Sequence, residues 1–337
     1  MKEILEGKKI LITGGAGSVG SALAKAMLKC APQTIRIFDI SENEMFEMRN
    51  KMRGEDRQRR AVRYLIGDVR DADRLKLAME DIDIVVHLAA MKHVYACEYN
   101  PFEAIKTNID GLQNVIAAAR NEEVEKVIFA STDKAVSPTS VMGMTKLLGE
   151  KLVSLANYYK GKKRTLFSSL RFGNVMGSNG SVWPLFKKQI AAGGPITITD
   201  KDMTRFVITM EEAIRLIYNA IGLAKGGETF VWKMRTLRVA DLADVMIEEY
   251  GSGRRIEIEA IGRGEGEKMH EEILSQEELS HAAELDNLYV VFPLIDHMGA
   301  ERRYKDARPI ENPVVVSKEG HHMSKKEIKT LLESIEA

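Results

Sequence analysis

Short, β-branched apolar runs alternate with helical patterns through the first half of the chain. KKILITGG (8–15), TIRIFDI (34–40), RYLIGDV (63–69), DIVVHLAA (83–90), KVIFAST (126–132) and RTLFSSLRF (164–172) read as strands. Residues 18–28, 109–120 and 150–159 carry helical patterns, and a charged helical stretch follows the second strand. This alternation predicts a parallel sheet wrapped by helices on both faces. Near-continuous apolar strands are what a sheet buried on both sides requires. Beyond Asn174 the pattern turns irregular and rich in Gly, Ser and Pro, as in MGSNGSVWP (176–184). Helical periodicity returns at 210–224 and 239–250, a strand pattern at 228–234, and an amphipathic helix at 324–335. The expected organisation is a large α/β domain over 1–174, to which 205–236 return. A smaller C-terminal domain, 175–204 with 237–337, caps its strand ends.

A chain of 337 residues has room for one substantial core, or a large domain with a smaller companion. Hydrophobic residues at 45% and charged residues at 29% are ordinary globular composition. Basic and acidic residues balance at 49 each, and the basic ones are dispersed, which argues against a nucleic-acid partner. The densest basic run, 51–63, is interrupted by Glu55 and Asp56 and reads as a solvated face or loop. Cys30 and Cys97 have no metal-like spacing to histidines, so no metal is expected, and they fit a reducing cytosol. Residues 1–9 are charged throughout and lack the apolar segment of a secretory signal. No apolar run is long enough to span a membrane, and the expectation is a cytoplasmic globule.

ITGGAGSVGSAL follows the first strand and opens the first helix. Gly15, Gly17 and Gly20 fit G-x-G-x-x-G, Gly14 tightens the same turn, and Ser18 and Val19 start the helix. Glycines there let backbone approach a pyrophosphate whose charge sits at the helix N-terminus. Asp39 ends the second strand, nineteen residues past Gly20. A carboxylate there accepts hydrogen bonds from ribose hydroxyls and repels a 2′-phosphate. The pattern predicts a Rossmann-type, doubly wound sheet that binds NAD in preference to NADP. Arg49, Lys51 and Arg53 are the residues through which a 2′-phosphate would be held instead. Asp68, with Val69 at the third strand's end, is either an adenine contact or a loop cap. Ala89 and Ala90, closing the fourth strand, belong to the same cofactor side.

Ser131-Thr132-Asp133-Lys134 closes the fifth strand, with Met142-Gly143-Met144-Thr145-Lys146 just beyond. Ligands and chemistry in open α/β sheets collect at the carboxyl ends of strands. An adjacent acid and amine there form either a catalytic pair or a local ion pair. These residues resemble the extended short-chain dehydrogenase/reductase superfamily. They are most similar to the UDP-N-acetylglucosamine 4,6-dehydratases of the polysaccharide-biosynthesis family. The likeness runs from TGGAGSVG through HLAAMKHV, STDKAVSPTSVMGMTK and RFGNVMGSNGSVWPLF to ITDKDMTRF and GEGEKMHE.

The superfamily's Tyr-x-x-x-Lys pair supplies a base and a cofactor-ribose ligand from one helix face. Lys146 matches the lysine, but Met142 stands where the tyrosine belongs, so the tyrosinate mechanism is ruled out. Some of the resembling dehydratases also carry methionine there, among them large membrane-anchored ones with N-terminal spans absent from this sequence. The implied reaction passes hydride from sugar C4 to NAD, eliminates water across C5–C6, and returns hydride to C6. By resemblance Asp133 is the acid at the C6 hydroxyl and must carry a proton at neutral pH. Lys134 is the C5 base and must be neutral, so its pKa is expected to fall well below about 10.4. Burial beside the nicotinamide cation and Lys146 would push it down. The base at O4 is either Thr132 with a water or Asp133 itself.

The remaining blocks imply binding residues. Lys92 reaches nicotinamide or sugar, His93 is either a ligand or a structural hydrogen-bonder, and His87 is a core histidine. Asn108 braces backbone near the cofactor. Asn174, with Ser181 and Val182 in the same block, contacts substrate, and Asn174 resembles the family's diphosphate ligand. Arg205 suits a diphosphate clamp, because guanidinium pairs bidentately with phosphate oxygens. Glu267 resembles a residue near the uridine ribose, with a surface salt bridge as the alternative for Glu267 and Lys268. Two rivals stay open: an NAD-dependent UDP-sugar 4-epimerase, and a catalytically silent nucleotide-sugar-binding protein. A homodimer or larger assembly, through a helix pair including the one that bears Lys146, is implied by family analogy.

Overall fold

The computed structural model describes residues 2–52, 61–295, 299 and 302–336. Arg53, one of the three candidates for a 2′-phosphate, lies outside the described residues. The strands are β1 (Lys9–Thr13), β2 (Thr34–Asp39), β3 (Val62–Ile66), β4 (Ile84–His87), β5 (Lys126–Thr132), β6 (Leu166–Phe172) and β7 (Asn174–Val175). They continue with β8 (Ile196–Ile198), β9 (Thr204–Ile208), β10 (Thr229–Trp232), β11 (Arg235–Arg238), β12 (Ile258–Ala260), β13 (Ala282–Leu285) and β14 (Leu288–Val291).

Nine of them form one sheet in the order β13-β14-β10-β6-β5-β4-β1-β2-β3. The seven from β3 to β10 pair in parallel, while β14 pairs antiparallel to β10 and to β13. The order reverses between β1 and β4, the switch point of a doubly wound Rossmann-type sheet. Successive strand residues point to opposite faces, and the two cores follow that period. Ile10, Ile12, Ile84, Val86 and Ile128 pack with Leu23 and Met27 of the helix Ser18–Leu28 and with Leu216 and Ile217 of the helix Met210–Leu223. Leu11, Val85, Val127 and Phe129 pack on the other side with Leu112 and Val115 of the helix Gly111–Asn121 and Val153 of the helix Val141–Tyr159. Each such side chain stabilises the fold by about 1.5–3 kcal/mol when taken fully out of water.

A third core lies around the three-stranded sheet β11-β9-β7, the pair β12-β8, and the helices Val182–Ala191, Val239–Tyr250 and Lys325–Glu336. Within 205–236, β10 lies in the large sheet, whereas β9 and β11 pair in the small one. Within 237–337, β13 and β14 extend the large sheet.

One helix is longer than its sequence pattern. Residues 150–159 were the expected extent, yet it runs Val141–Tyr159 from a Ser140 cap whose Oγ accepts from Gly143 N at 3.1 Å. Its glycines mark close packing rather than an end. A Cβ on Gly143 would lie 2.3 Å from the Lys134 carbonyl oxygen, and one on Gly149 2.7 Å from the Phe129 ring. The stretch 176–184, irregular in sequence, holds the start of the helix Val182–Ala191.

Candidate active site

The glycine loop lies at the switch point. Gly14 has φ +64°, and a Cβ there would sit 2.6 Å from Ala89 N, so β1 and β4 meet here at backbone distance. A Cβ on Gly20 would press on Gly14 O at 2.6 Å, whereas one on Gly17 would meet only that oxygen, at 3.4 Å. The helix Ser18–Leu28 starts after Gly17 with no side-chain cap, so its first-turn N–H groups suit an anion. Asp39 is nearly buried and fixed: Oδ2 accepts from Ala16 N and Oδ1 from Ser41 N, both at 3.0 Å. This cradle fits a dinucleotide.

Asp68 accepts from Arg70 N at 2.9 Å and Arg70 Nε at 2.7 Å. Burial pushes its carboxyl up, but the Arg70 hydrogen bonds and charge outweigh that and hold it below the usual range. The neighbouring Val69 is buried, and Lys51 pairs with Glu47 at 3.3 Å. Asn108 lies in a π-turn, Lys106–Asp110, a distortion frequent at functional sites. Its Oδ1 accepts from Met91 N at 2.8 Å, and its Nδ2 donates to Met91 O at 3.1 Å and Thr145 Oγ1 at 3.0 Å. That ties the segment after Ala89 and Ala90 to the helix bearing Lys146. The loop before the helix Val182–Ala191 crosses over the glycine loop: Asn179 N donates to Ser18 Oγ at 2.9 Å and Lys92 Nζ to Asn179 O at 2.6 Å. His93 lies against Gly180.

Asp133 and Lys134 start a single 3₁₀ turn directly after β5. Asp133 is fully buried, its Oδ1 accepts from Thr132 Oγ1 and from Lys134 Nζ, both at 2.9 Å, and its Oδ2 has no hydrogen-bond partner among the described residues. Lys134 Nζ also meets Asn174 Oδ1 at 3.3 Å and Glu271 Oε1 at 3.2 Å. The expected fall in the Lys134 pKa is therefore corrected. Burial does lower it, but the carboxylates of Asp133 and Glu271 outweigh burial and raise it above the ordinary lysine value. The sequence offered Lys146 as the neighbouring charge, and Glu271, the last residue of GEGEKMHE, was not singled out.

Lys146 is buried, with Nζ donating to Ala130 O at 2.9 Å and standing 4.7 Å from the centre of the Phe129 ring. Burial pulls its ammonium down to about 8, partly opposed by Glu150 and Cys97. Met142 packs with Cys97 and Ala104 in a small apolar cluster. His87 is buried, shares a hydrogen bond of 2.6 Å with Thr13 Oγ1, and is pushed down to about 3 by burial and by Lys146. It is a neutral core histidine.

A cavity of about 130 Å³ opens beside Lys134 and is lined by Ser140, Asn174, Arg205, Glu267, Lys268 and Glu271 among others. Arg205 Nη1 donates to Thr204 O at 2.8 Å and Met269 O at 3.2 Å, while Nε stands 3.8 Å from Glu271 Oε1. Glu267 Oε2 accepts from Gly264 N at 3.1 Å and Thr199 Oγ1 at 3.3 Å, and Lys268 Nζ donates to Val136 O at 2.6 Å. The GEGEKMHE segment thus roofs the cavity through backbone and side-chain ties. Ser181 caps the helix Val182–Ala191 without a side-chain bond, and its Oγ is buried and without a partner among the described residues. Among the described residues no cluster of three or more His, Cys, Asp or Glu suits a metal ion, and no helix is long and apolar enough to cross a membrane.

The family described as "Polysaccharide biosynthesis protein" matches residues 10–293. The chain belongs to this family. A UDP-N-acetylglucosamine 4,6-dehydratase (inverting) of Campylobacter jejuni is 42% identical over 88% of this chain and 86% of its own. An uncharacterized membrane protein of Methanocaldococcus jannaschii is 49% identical over 97% and 96%. The X-ray structure of Pen from Bacillus thuringiensis superposes with a TM-score of 0.91 at 43% identity, covering 98% of each chain. Proteins named UDP-glucose 4-epimerase from three Rickettsia species align at 37–39% over 84% of this chain. More distant solved structures, at 18–21% identity and TM-scores of 0.63–0.66, share the fold. Within this family's fold, Glu271 is the cavity residue that sequence reasoning missed. It stands four residues past Glu267, and no periodicity distinguishes it from Glu265, Glu267 or Glu272.

Proposed function

We propose that this chain is a cytoplasmic, NAD-dependent 4,6-dehydratase of UDP-N-acetylglucosamine, making a UDP-4-keto-6-deoxy sugar for surface polysaccharide or glycan synthesis. The carrying observation is the Asp133–Lys134 ion pair at the end of β5, in which Asp133 is buried and Lys134 lines a cavity with Asn174 and Arg205. The family membership and the Campylobacter relative's name support the same reading. Gly14, Gly15, Gly17, Ser18, Val19 and Gly20 would cradle the pyrophosphate. Asp39 would take the adenosine ribose, Asp68 and Val69 would border the adenine, and Ala89, Ala90, Lys92, Asn108 and Lys146 would border the nicotinamide half. When bound, that cofactor supplies a hydride acceptor and donor at sugar C4 and C6.

The rest is this chain's own acid–base work. Lys134 Nζ takes the C5 proton, the C–H electrons form the C5–C6 double bond, and the C6–O bond breaks. Asp133 protonates the departing hydroxyl, which leaves as water. The pair begins as carboxylic acid and amine and ends as carboxylate and ammonium, the ion pair seen at 2.9 Å. As C6 receives hydride, C5 takes a proton back from the Lys134 ammonium, and the proton released at O4 returns to Asp133, which resets the pair. Arg205 and Asn174 would hold the diphosphate, with Ser181, Val182 and Glu267 at its flanks. Met142 fills space, and O4 is served by Thr132 with a water, or by Asp133 if it starts the cycle as carboxylate and gains its proton there. A homodimer or larger assembly is supported by an apolar groove between the helices Gly111–Asn121 and Val141–Tyr159, lined by Ile116, Leu152, Leu155 and Tyr159.

The test is incubation with UDP-N-acetylglucosamine and mass analysis of the product. A product lighter by one water is expected. An equal-mass isomer would instead establish the 4-epimerase reading, which the Rickettsia relatives' names favour, and no product would leave a silent binding protein. For the cofactor, Asp39→Ala should narrow the preference for NAD over NADP, since Asp39 places a negative charge where a 2′-phosphate would lie. Tighter binding of NADP than NAD by the unmodified protein would refute the assignment.

A further inference from the structure

Lys134, Arg205 and Glu271 line the cavity, and Asp133 lies buried directly behind Lys134. Side-chain exposure is 0% for Asp133, 2% for Glu271, 11% for Arg205 and 23% for Lys134. Three oxygens stand within 3.3 Å of Lys134 Nζ: Asp133 Oδ1, Glu271 Oε1 and Asn174 Oδ1. An ammonium has three N–H groups to offer them, while a neutral amine has two and a lone pair that would face an acceptor. Glu271 Oε1 also stands 3.8 Å from Arg205 Nε, so the two cations share it. Its other oxygen is buried with no partner among the described residues. The Glu271 backbone is anchored, its N–H donating to Ser317 Oγ at 2.9 Å, and Ser317 Oγ bonds Thr204 Oγ1 of β9 at 2.7 Å. Glu267 and Lys268 are the other charged groups lining the cavity.

We propose that Glu271 is a positioning residue that governs how one proton is divided between Asp133 and Lys134. This rests on the dehydratase reading for its catalytic meaning, though not for its physical content. The acid–amine and carboxylate–ammonium forms of the pair hold the same number of protons, so a neighbouring charge selects between them. The Glu271 carboxylate selects the ammonium. Neutralising it moves the proton toward Asp133 and frees the Lys134 lone pair. Anything that draws the shared oxygen toward Arg205 has the same effect in smaller measure.

The experiment measures Lys134 directly, by NMR of protein carrying ¹³Cε-labelled lysine, with Lys134→Arg to assign the signal. Lys134 in the unmodified protein is expected to titrate above the exposed lysines. Glu271→Gln, which keeps the shape, should lower its midpoint by about one to three pH units, the range for one adjacent opposite charge. Glu271→Asp keeps the charge at greater distance and should fall between. A Lys134 midpoint at or below that of exposed lysines in the unmodified protein overturns the proposal, and so does an unchanged midpoint in Glu271→Gln. In parallel, the rising limb of kcat for dehydration against pH should move to lower pH in Glu271→Gln, with kcat altered more than KM. If the NMR shift is found and neither protein forms dehydrated product, the charge coupling stands and the dehydratase reading falls.

Discussion

Asp133→Asn is expected to oxidise the sugar at C4 and then stall, with dehydrated product falling by roughly 10² to 10⁴. C4 oxidation needs a base at O4 and a well-placed cofactor, but hydroxide leaves poorly unless it is protonated as the C6–O bond breaks. The proton Asp133 requires is close at hand, on Lys134 Nζ at 2.9 Å. Asparagine keeps the buried shape and the oxygen that accepts from Thr132 Oγ1, while removing the transferable proton. The stalled state would be visible as reduced-nicotinamide absorbance under single-turnover conditions. Loss of both absorbance and product would make Asp133 the O4 base as well. Near-normal dehydration would remove it as the acid and reopen the epimerase reading.

The largest effect on stability is expected from Arg171, a fully buried guanidinium in β6. It donates to Glu150 Oε1 at 3.0 Å and Oε2 at 2.5 Å, to Glu278 Oε1 at 2.9 Å and Oε2 at 3.1 Å, and to Ile273 O at 2.8 Å. Arg171→Met leaves two buried carboxylates without a counter-charge and should cost about 3–5 kcal/mol at neutral pH, measured by urea unfolding. The dependence on pH gives a sharper check. In the parent, burial pushes the Glu278 carboxyl up, but Arg171 outweighs it and holds it below the usual range. That stability is present above the unfolded pKa and is lost as pH falls through the folded one. Without Arg171 the Ser275 N–H and Lys151 alone oppose burial, so the Glu278 carboxyl should rise, and the variant should recover part of its deficit in mild acid and lose it again as pH rises. A deficit independent of pH, or below about 1 kcal/mol, would mean that water reaches the two glutamates. Converting Glu150 and Glu278 to glutamine alongside Arg171→Met should restore much of the loss.

The apolar period made the sheet legible. Six of its strands fall inside runs read from the sequence, because a parallel strand buried on both faces leaves an unbroken β-branched signature. The glycine loop and Asp133–Lys134 were legible for the same local reason. The smaller sheets were not, since β7, β8 and β12 are two or three residues long and carry no period. The periodic run 150–159 gave only part of the helix that bears Lys146, whose first turns carry Gly143 and Gly149 packed closely against Lys134 and Phe129. Glu271 closes the GEGEKMHE block, but its place beside Lys134 was not legible, because only the tertiary path of the roof segment turns it, rather than Glu272, toward Lys134. Arg171 did leave a signal: a charge inside an otherwise apolar central strand requires a buried partner, and Glu150 and Glu278 are that partner.

The Asn179 crossing bears on turnover. Its peptide is held from two sides, the amide by Ser18 at the helix N-terminus and the carbonyl by Lys92 beyond β4. A dinucleotide lying on the glycine loop would sit under a strand of chain tied down at both flanks, and leaving would require both ties to open together. On the dehydratase reading, exchange with the surrounding pool would then be slow compared with each catalytic cycle. Such an enzyme would behave as a closed redox cell, the electrons taken from a sugar staying in the same molecule of protein until the same sugar takes them back.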